Sequence, residues 1–166
     1  MVIRTMQLTK ELLDKAREFS KEVYERKLAR PDKFKTGAEE GADFEGFLFE
    51  FAVCDFFRIP RPKLLKGTNL DEFDVKLKGK RIDVKHSRAR LINRAQFERK
   101  KGKIDAFLFG KTILMDFESG MLFAEFFGWI DYKDVLKNSF LVSFKNGSEA
   151  YKVNSSALKD VLELRA

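Results

Sequence analysis

The sequence predicts a mixed α/β domain, and three patterns predict it. Apolar residues recur at helical spacing over 9–29 and 38–57, and they alternate at strand spacing over 72–77 and 80–86. Apolar runs at 104–117 and 121–130 read as buried strands. Turn signals at Lys78-Gly79, Glu118-Ser119-Gly120 and Asn146-Gly147 separate these segments. No repeat, low-complexity tract or linker interrupts the 166 residues, so one domain is expected. Its parts are an N-terminal helical extension at 1–37, a core at 38–137, and a C-terminal hairpin and helix at 138–166.

The first helix carries Leu12, Ala16, Phe19 and Val23 on one face, widened by Leu13, Tyr24 and Leu28. Thr9 is its candidate N-cap and Pro31 its stop. In the second helix Phe44, Phe47, Leu48, Phe51 and Cys54 form a face, and Phe49, Ala52 and Phe56 carry apolar character further round, which predicts burial. Gly41 and Gly46 each cost about 1 kcal/mol relative to alanine in a helix interior, a cost that close approach of another backbone offsets. Pro60 and Pro62 end the helical region, and 63–66 is a candidate edge strand. A basic helical stretch is expected near 93–101 and a short helix at 131–137. A hairpin follows, with strands at 140–144 and 149–153, and Asn154 or Ser155 caps a last helix to Leu164.

Composition narrows the function classes. No run approaches the ~18 apolar residues that span a bilayer, and Lys10, Glu11 and Asp14 follow the N-terminus too soon for a signal peptide. The single Cys54 excludes an internal disulfide and a cysteine-based zinc or iron–sulfur site. The chain therefore reads as soluble and intracellular. Charged residues at 36% resemble hyperthermophile usage. From Lys85 to Lys103, eight basic residues face the single acid Glu98, which equals the whole net charge of +7. Such a segment is the footprint of a phosphate-backbone binder; a solvated basic helix explains it equally well.

The chemistry-bearing pattern lies on the two short strands. Phe73, Val75 and Leu77 alternate with Glu72, Asp74 and Lys76, while Ile82 and Val84 alternate with Arg81, Asp83 and Lys85. A two-residue turn at Lys78-Gly79 pairs Leu77 with Lys80, so that Phe73 faces Val84 and Val75 faces Ile82. The same register sets Asp74 opposite Asp83, and Glu72 opposite Lys85. Directly opposed residues have Cβ atoms about 4.5–5.5 Å apart, so the two carboxylates repel unless a hard divalent cation joins them. Lys85, on the same face, is placed to meet a phosphate. Acids and lysines are also ordinary residues on a solvent-facing strand. Glu45 shares a stripe with Phe49, Ala52 and Phe56, which predicts that it is at least half buried; Glu39, Glu40 and Glu50 are its rivals.

The order of these motifs resembles the PD-(D/E)XK nuclease superfamily. Gly41-Ala42-Asp43-Phe44-Glu45 is similar to the family's helix motif, Asp74 to its first strand acid, and Ile82-Asp83-Val84-Lys85 to its (D/E)-x-K element. Phe126-Phe127-Gly128-Trp129-Ile130 with Asp131-Tyr132-Lys133-Asp134 is similar to a late strand and short helix. The resemblance covers roughly 38–137 and implies a restriction-endonuclease-like α-β-β-β-α-β core, a mixed central sheet flanked by helices. It implies Mg²⁺ or Mn²⁺ on Asp74, Asp83 and Glu45, with Lys85 as the catalytic lysine and DNA as the substrate. Arg88, Arg90, Arg94, Arg99, Lys100, Lys101 and Lys103 would hold the DNA backbone without reading bases. No proline precedes Asp74, and the Gln-x-x-x-Tyr of the exonuclease branch is here Gln96 followed by Lys100. Gln96 is a further candidate to point toward the metal site. Small nucleases of archaea and their viruses, and Holliday-junction resolvases, are similar in size; members often act as homodimers, which makes the first helix a candidate interface.

His86 falls on the apolar side of its strand and reads as a packed core histidine before a ligand or base. Ser87 and Arg88 are candidate phosphate contacts or turn residues. Trp129, Phe107, Phe109, Phe123, Phe126 and Phe127 read as core. Two other functions compete with the nuclease: a non-catalytic DNA-binding module using 85–103, and an interaction protein using the Phe-rich face.

Overall fold

A computed structural model describes residues 1–29, 44–62, 73–116 and 120–165 of the chain. The protein is mixed α/β. Its elements are β1 (Arg4–Gln7), α1 (Lys10–Leu28), α2 (Phe44–Phe57), β2 (Val75–Leu77), β3 (Lys80–His86), β4 (Leu91–Asn93), α3 (Arg94–Arg99), β5 (Ala106–Asp116), β6 (Met121–Asp131), β7 (Ser139–Ser143) and β8 (Glu149–Val153). A five-stranded sheet has the order β1-β6-β5-β3-β2, and a three-stranded sheet the order β4-β8-β7. The chain forms two compact units. One comprises Met1–Thr5, Asn69–Lys111 and Glu125–Ala166; the other comprises Met6–Thr68 and Thr112–Ala124. Among the described residues, no helix is long and apolar enough to cross a membrane.

In the first unit, β2 and β3 are antiparallel, and β3 runs parallel to β5 from Ile82–Ala106 to His86–Gly110. The connection between two parallel neighbours has to cross over, and α3 lies within it. Arg81 pins the start of this pair. Its side chain grips both carboxylate oxygens of Asp105 at 3.0 Å, and its backbone N–H donates to the same Asp105 at 2.8 Å. Phe107, Phe109, Phe127 and Ile130 form a core with Ile92, Phe97, Val153 and Leu158. Phe97 anchors α3 there. It stacks on Tyr132 at 4.3 Å between ring centroids, and the Tyr132 hydroxyl donates to the Phe97 carbonyl.

In the second unit, the Thr9 side chain caps α1 by accepting from Leu12 N–H at 3.1 Å. Phe19 of α1 meets Phe47 and Phe51 of α2 edge-on at 4.8 and 5.4 Å. Arg61 joins both helices, with Asp55 at 2.8 Å and Glu11 at 2.8 Å. A methyl group added at Gly46 would meet nothing within 4 Å, so close packing does not offset its helix cost.

Several elements differ from expectation. The second helix is described from Phe44, and residues 38–43, with Glu39, Glu40 and Gly41, lie outside the described residues, as does the expected strand at 63–66. β4 was not expected; Leu91 and Ile92 make too short an apolar pair to signal a strand, and β4 forms because β8 lies alongside to pair with it. The short helix expected at 131–137 is two 3₁₀ turns, Tyr132–Asp134 and Leu136–Asn138. The expected C-terminal helix is replaced by 3₁₀ turns at Ser155–Ala157 and Val161–Leu164. Between them Lys159 pairs with Trp129 through two backbone bonds of 2.9 and 3.0 Å, which holds Leu158 extended and breaks the helix. β1 was not expected either. His86 is half-buried at the end of β3 rather than packed in the core, and Phe123 is half-buried as well.

Candidate functional site

The β2–β3 turn places the site. Lys78 and Gly79 both have positive φ, 49° and 76°, as a tight two-residue hairpin turn requires. The ladder then runs Leu77–Lys80, Lys76–Arg81 and Val75–Ile82. It stops there, so β2 is shorter than the expected 72–77 strand. Phe73 is exposed instead of facing Val84, and Glu72 lies outside the described residues. The physical reason is Asp74. Its N–H still donates to the Ile82 carbonyl at 3.0 Å, but its side-chain Oδ2 accepts from Val84 N–H at 2.7 Å. The carboxylate thus satisfies a β3 backbone donor that a continued β2 strand would otherwise have to satisfy.

That turn inward brings Asp74 onto Asp83. The two carboxyl groups are close enough that each shifts the other's protonation. Asp83 is 2% exposed, so both faces of β3 are covered at its centre. Lys85 Nζ lies 2.9 Å from Asp83 Oδ2, and Lys100 Nζ lies 3.0 Å from Asp83 Oδ1. Lys85 also donates to Gln96 Oε1 at 3.1 Å. Asp83 Oδ2 has a charge partner in Lys85 but no hydrogen bond, because the ammonium lies off the bonding direction; it is a buried acceptor with an unused lone pair.

The electrostatics follow from burial and proximity. Burial, then the Asp83 charge, raises the Asp74 carboxyl from 3.8 to about 7, against the Val84 N–H bond that lowers it. Burial would also raise Asp83, but Lys85, the neighbouring Asp74 and Lys100 outweigh it and lower Asp83 below its ordinary value. One acid keeps its proton near neutrality and the other is ionised, the arrangement of two like charges sharing one site.

α3 supplies the other side. Asn93 caps it, accepting from Gln96 N–H at 3.1 Å, and Gln96 and Lys100 stand one helical turn apart. The expectation that Lys100 lies along a DNA-facing basic strip is corrected. Its side chain is 13% exposed and ion-paired inside the site. Arg90 donates to the Val153 carbonyl at 3.0 Å, and Arg94 pairs with Glu98 and Glu149, so both are engaged within the protein. Arg88, Arg99, Lys101 and Lys103 are exposed. Ser87 serves a turn, with its Oγ accepting from Leu91 N–H at 3.0 Å. Glu45 is exposed in the first turn of α2, not half buried, because the helix's apolar stripe is covered only from Leu48 onward. Lys100 is the site residue that sequence reasoning misplaced; its spacing from Gln96 was the signal that could have found it.

Asp74 and Asp83 are the side chains here that could hold a hard cation. Asp83 has one buried oxygen lacking a hydrogen bond, and Mg²⁺ and Mn²⁺ prefer oxygen ligands with water completing the shell. Among the described residues, no group of three His, Cys, Asp or Glu side chains gathers to hold a metal. Among the described residues, the site offers the two carboxyl groups of Asp74 and Asp83. No protein-family model matches the chain, and neither does any curated protein or solved structure.

Proposed function

We propose that this chain is a Mg²⁺- or Mn²⁺-dependent deoxyribonuclease of the PD-(D/E)XK type. One observation carries the reading. Two neighbouring acids, Asp74 just ahead of β2 and Asp83 on β3, lie beside a lysine that reaches 2.9 Å from one of them, in the order Asp74, Asp83-Val84-Lys85. The order α2, β2, β3, β4, α3, β5, with β3 parallel to β5, follows the α-β-β-β-α-β succession of a restriction-endonuclease-like core, although β4 pairs in the three-stranded sheet and not beside β3.

In this reading Asp74 and Asp83 hold the cation. When bound, it would polarise the phosphoryl oxygen and make water a better nucleophile near neutral pH. Lys85 places its ammonium at the scissile phosphate, and Gln96 fixes that ammonium so that its charge is aimed before substrate arrives. The exposed Arg88, Arg99, Lys101 and Lys103 give the DNA backbone its counter-charges. The reading does not need Glu45.

A second reading has its own support. Lys85 and Lys100 already neutralise Asp83, as they would in a structural ion cluster of a non-catalytic DNA-binding module. One experiment separates them. The purified protein is screened with Mg²⁺ and Mn²⁺ on single-stranded, duplex and branched DNA, beside Asp83→Ala and Lys85→Ala. Cleavage by the wild type that both substitutions abolish, with DNA binding retained, is the expected result. Binding without cleavage of any DNA form by the wild type overturns the nuclease and leaves the binding module.

A further inference from the structure

We infer that Lys100 is a resident cation of the acid pair, which a divalent ion has to displace before it can engage Asp83 fully. The inference rests on the reading of Asp74 and Asp83 as cation ligands, and it adds a gate to that site. Lys100 Nζ covers Asp83 Oδ1 at 3.0 Å while Lys85 Nζ covers Oδ2 at 2.9 Å, so each oxygen of one buried carboxylate already has an ammonium beside it. A divalent ion and an ammonium on the same oxygen would stand a few ångströms apart in a poorly solvated place, where their repulsion is strong. One of the two ammonium groups has to leave.

The structure distinguishes which. Lys85 lies on β3, between β5 and β2 in the sheet, and is tethered from a second side by Gln96 Oε1 at 3.1 Å. Among the described residues, no side-chain amide tethers Lys100 in that way. Lys100 sits just beyond the end of α3, where its N–H donates to the Gln96 carbonyl at 3.0 Å. The next three residues, Lys101, Gly102 and Lys103, form an exposed turn with Gly102 at φ 76°. Phe97 holds the helix itself, so the Lys100 side chain can swing out on its four-carbon stem without moving the backbone. The Asp83 charge is therefore already met by two ammonium groups. Part of the cation's binding free energy is spent on removing Lys100.

The test is Mn²⁺ affinity in the absence of DNA, measured by titration calorimetry on the wild type, Lys100→Met, Lys100→Gln and Lys100→Arg, with circular dichroism to establish folding. Two neutral replacements are used so that a folding defect in one leaves the other. Binding roughly tenfold tighter in the neutral variants is expected, equivalent to about 1.4 kcal/mol, with Lys100→Arg near the wild type. A merely structural role for Lys100 predicts the opposite sign, because loosening Asp83 weakens a cation site. Equal or weaker Mn²⁺ binding by the neutral variants overturns the gate and leaves the cation site standing. Failure of every folded variant, wild type included, to bind Mn²⁺ overturns the cation site and the gate together.

Discussion

Replacing Asp74 with asparagine should make the metal-free protein more stable above neutral pH, although it removes a charge from the candidate site. The cause is the raised Asp74 carboxyl, about 7 against an ordinary 3.8. Between those values the folded carboxyl holds a proton that the unfolded chain has already released. Wild-type stability therefore falls as pH rises through that window and levels off above it. Each unit is worth about 1.4 kcal/mol, so a shift of roughly three units gives about 4 kcal/mol. Asp74 is only half-buried, and screening by water reduces this to about 2 kcal/mol. Asparagine keeps an oxygen for Val84 N–H and an amide to donate to Asp83, with nothing to ionise. Thermal melting of both proteins at five pH values from 4 to 8, with chelator present, should show near-equal midpoints at pH 4. By pH 8 an advantage of about 4–8 °C for Asp74→Asn should have opened, at 2–4 °C per kcal/mol for a chain of this size. A difference that does not change with pH, or an asparagine variant less stable at pH 8, refutes the argument that burial and Asp83 strain the Asp74 charge.

Two further outcomes concern the frame that holds the site. Gly128 has φ 139°, and a Cβ there would lie 2.6 Å from the Lys159 carbonyl oxygen, so Gly128→Ala should cost at least about 2 kcal/mol, read as a lower urea midpoint. Burial would raise Asp131, but Lys159 at 2.7 Å and Lys80 at 2.8 Å outweigh it and hold the carboxyl below its ordinary value. That stabilisation is present above the ordinary carboxylate range and is lost as pH falls through the lowered value. Asp131→Asn should therefore lose about 1–3 kcal/mol at pH 7 and flatten the acid side of the melting profile.

How much of this could be read beforehand depends on where the deciding contacts lie. The β2–β3 register was legible because Val75, Leu77, Ile82 and Val84 alternate around Lys78-Gly79, and a one-residue slip would expose all four. The Thr9 cap and the Asn146-Gly147 hairpin were legible because both are local. Asp74 was expected across from Asp83 as a regular ladder partner. It reaches that neighbour instead by giving its oxygen to Val84 N–H, an exchange that alternation cannot reveal. Lys100 looked like one more member of a basic run, since a charge pattern does not say which side of a six-residue helix faces the sheet. The last helix failed for the same reason: Leu158 and Lys159 obey a partner thirty residues upstream, Trp129, and not their own propensities. Glu45 shares an apolar stripe, but the first turn of a helix is open to solvent, and a stripe alone does not tell a covered turn from an open one.

The edge of the sheet at β2 has a consequence for self-association. Outermost strands recruit other chains through unpaired amides, and length and apolarity favour that recruitment. Here the outer strand is three residues long, carries the outward Lys76, and gives way at once to a carboxylate that occupies the next available amide of its neighbour. The same carboxyl that turns in toward Asp83 also seals this margin against fibre-like growth.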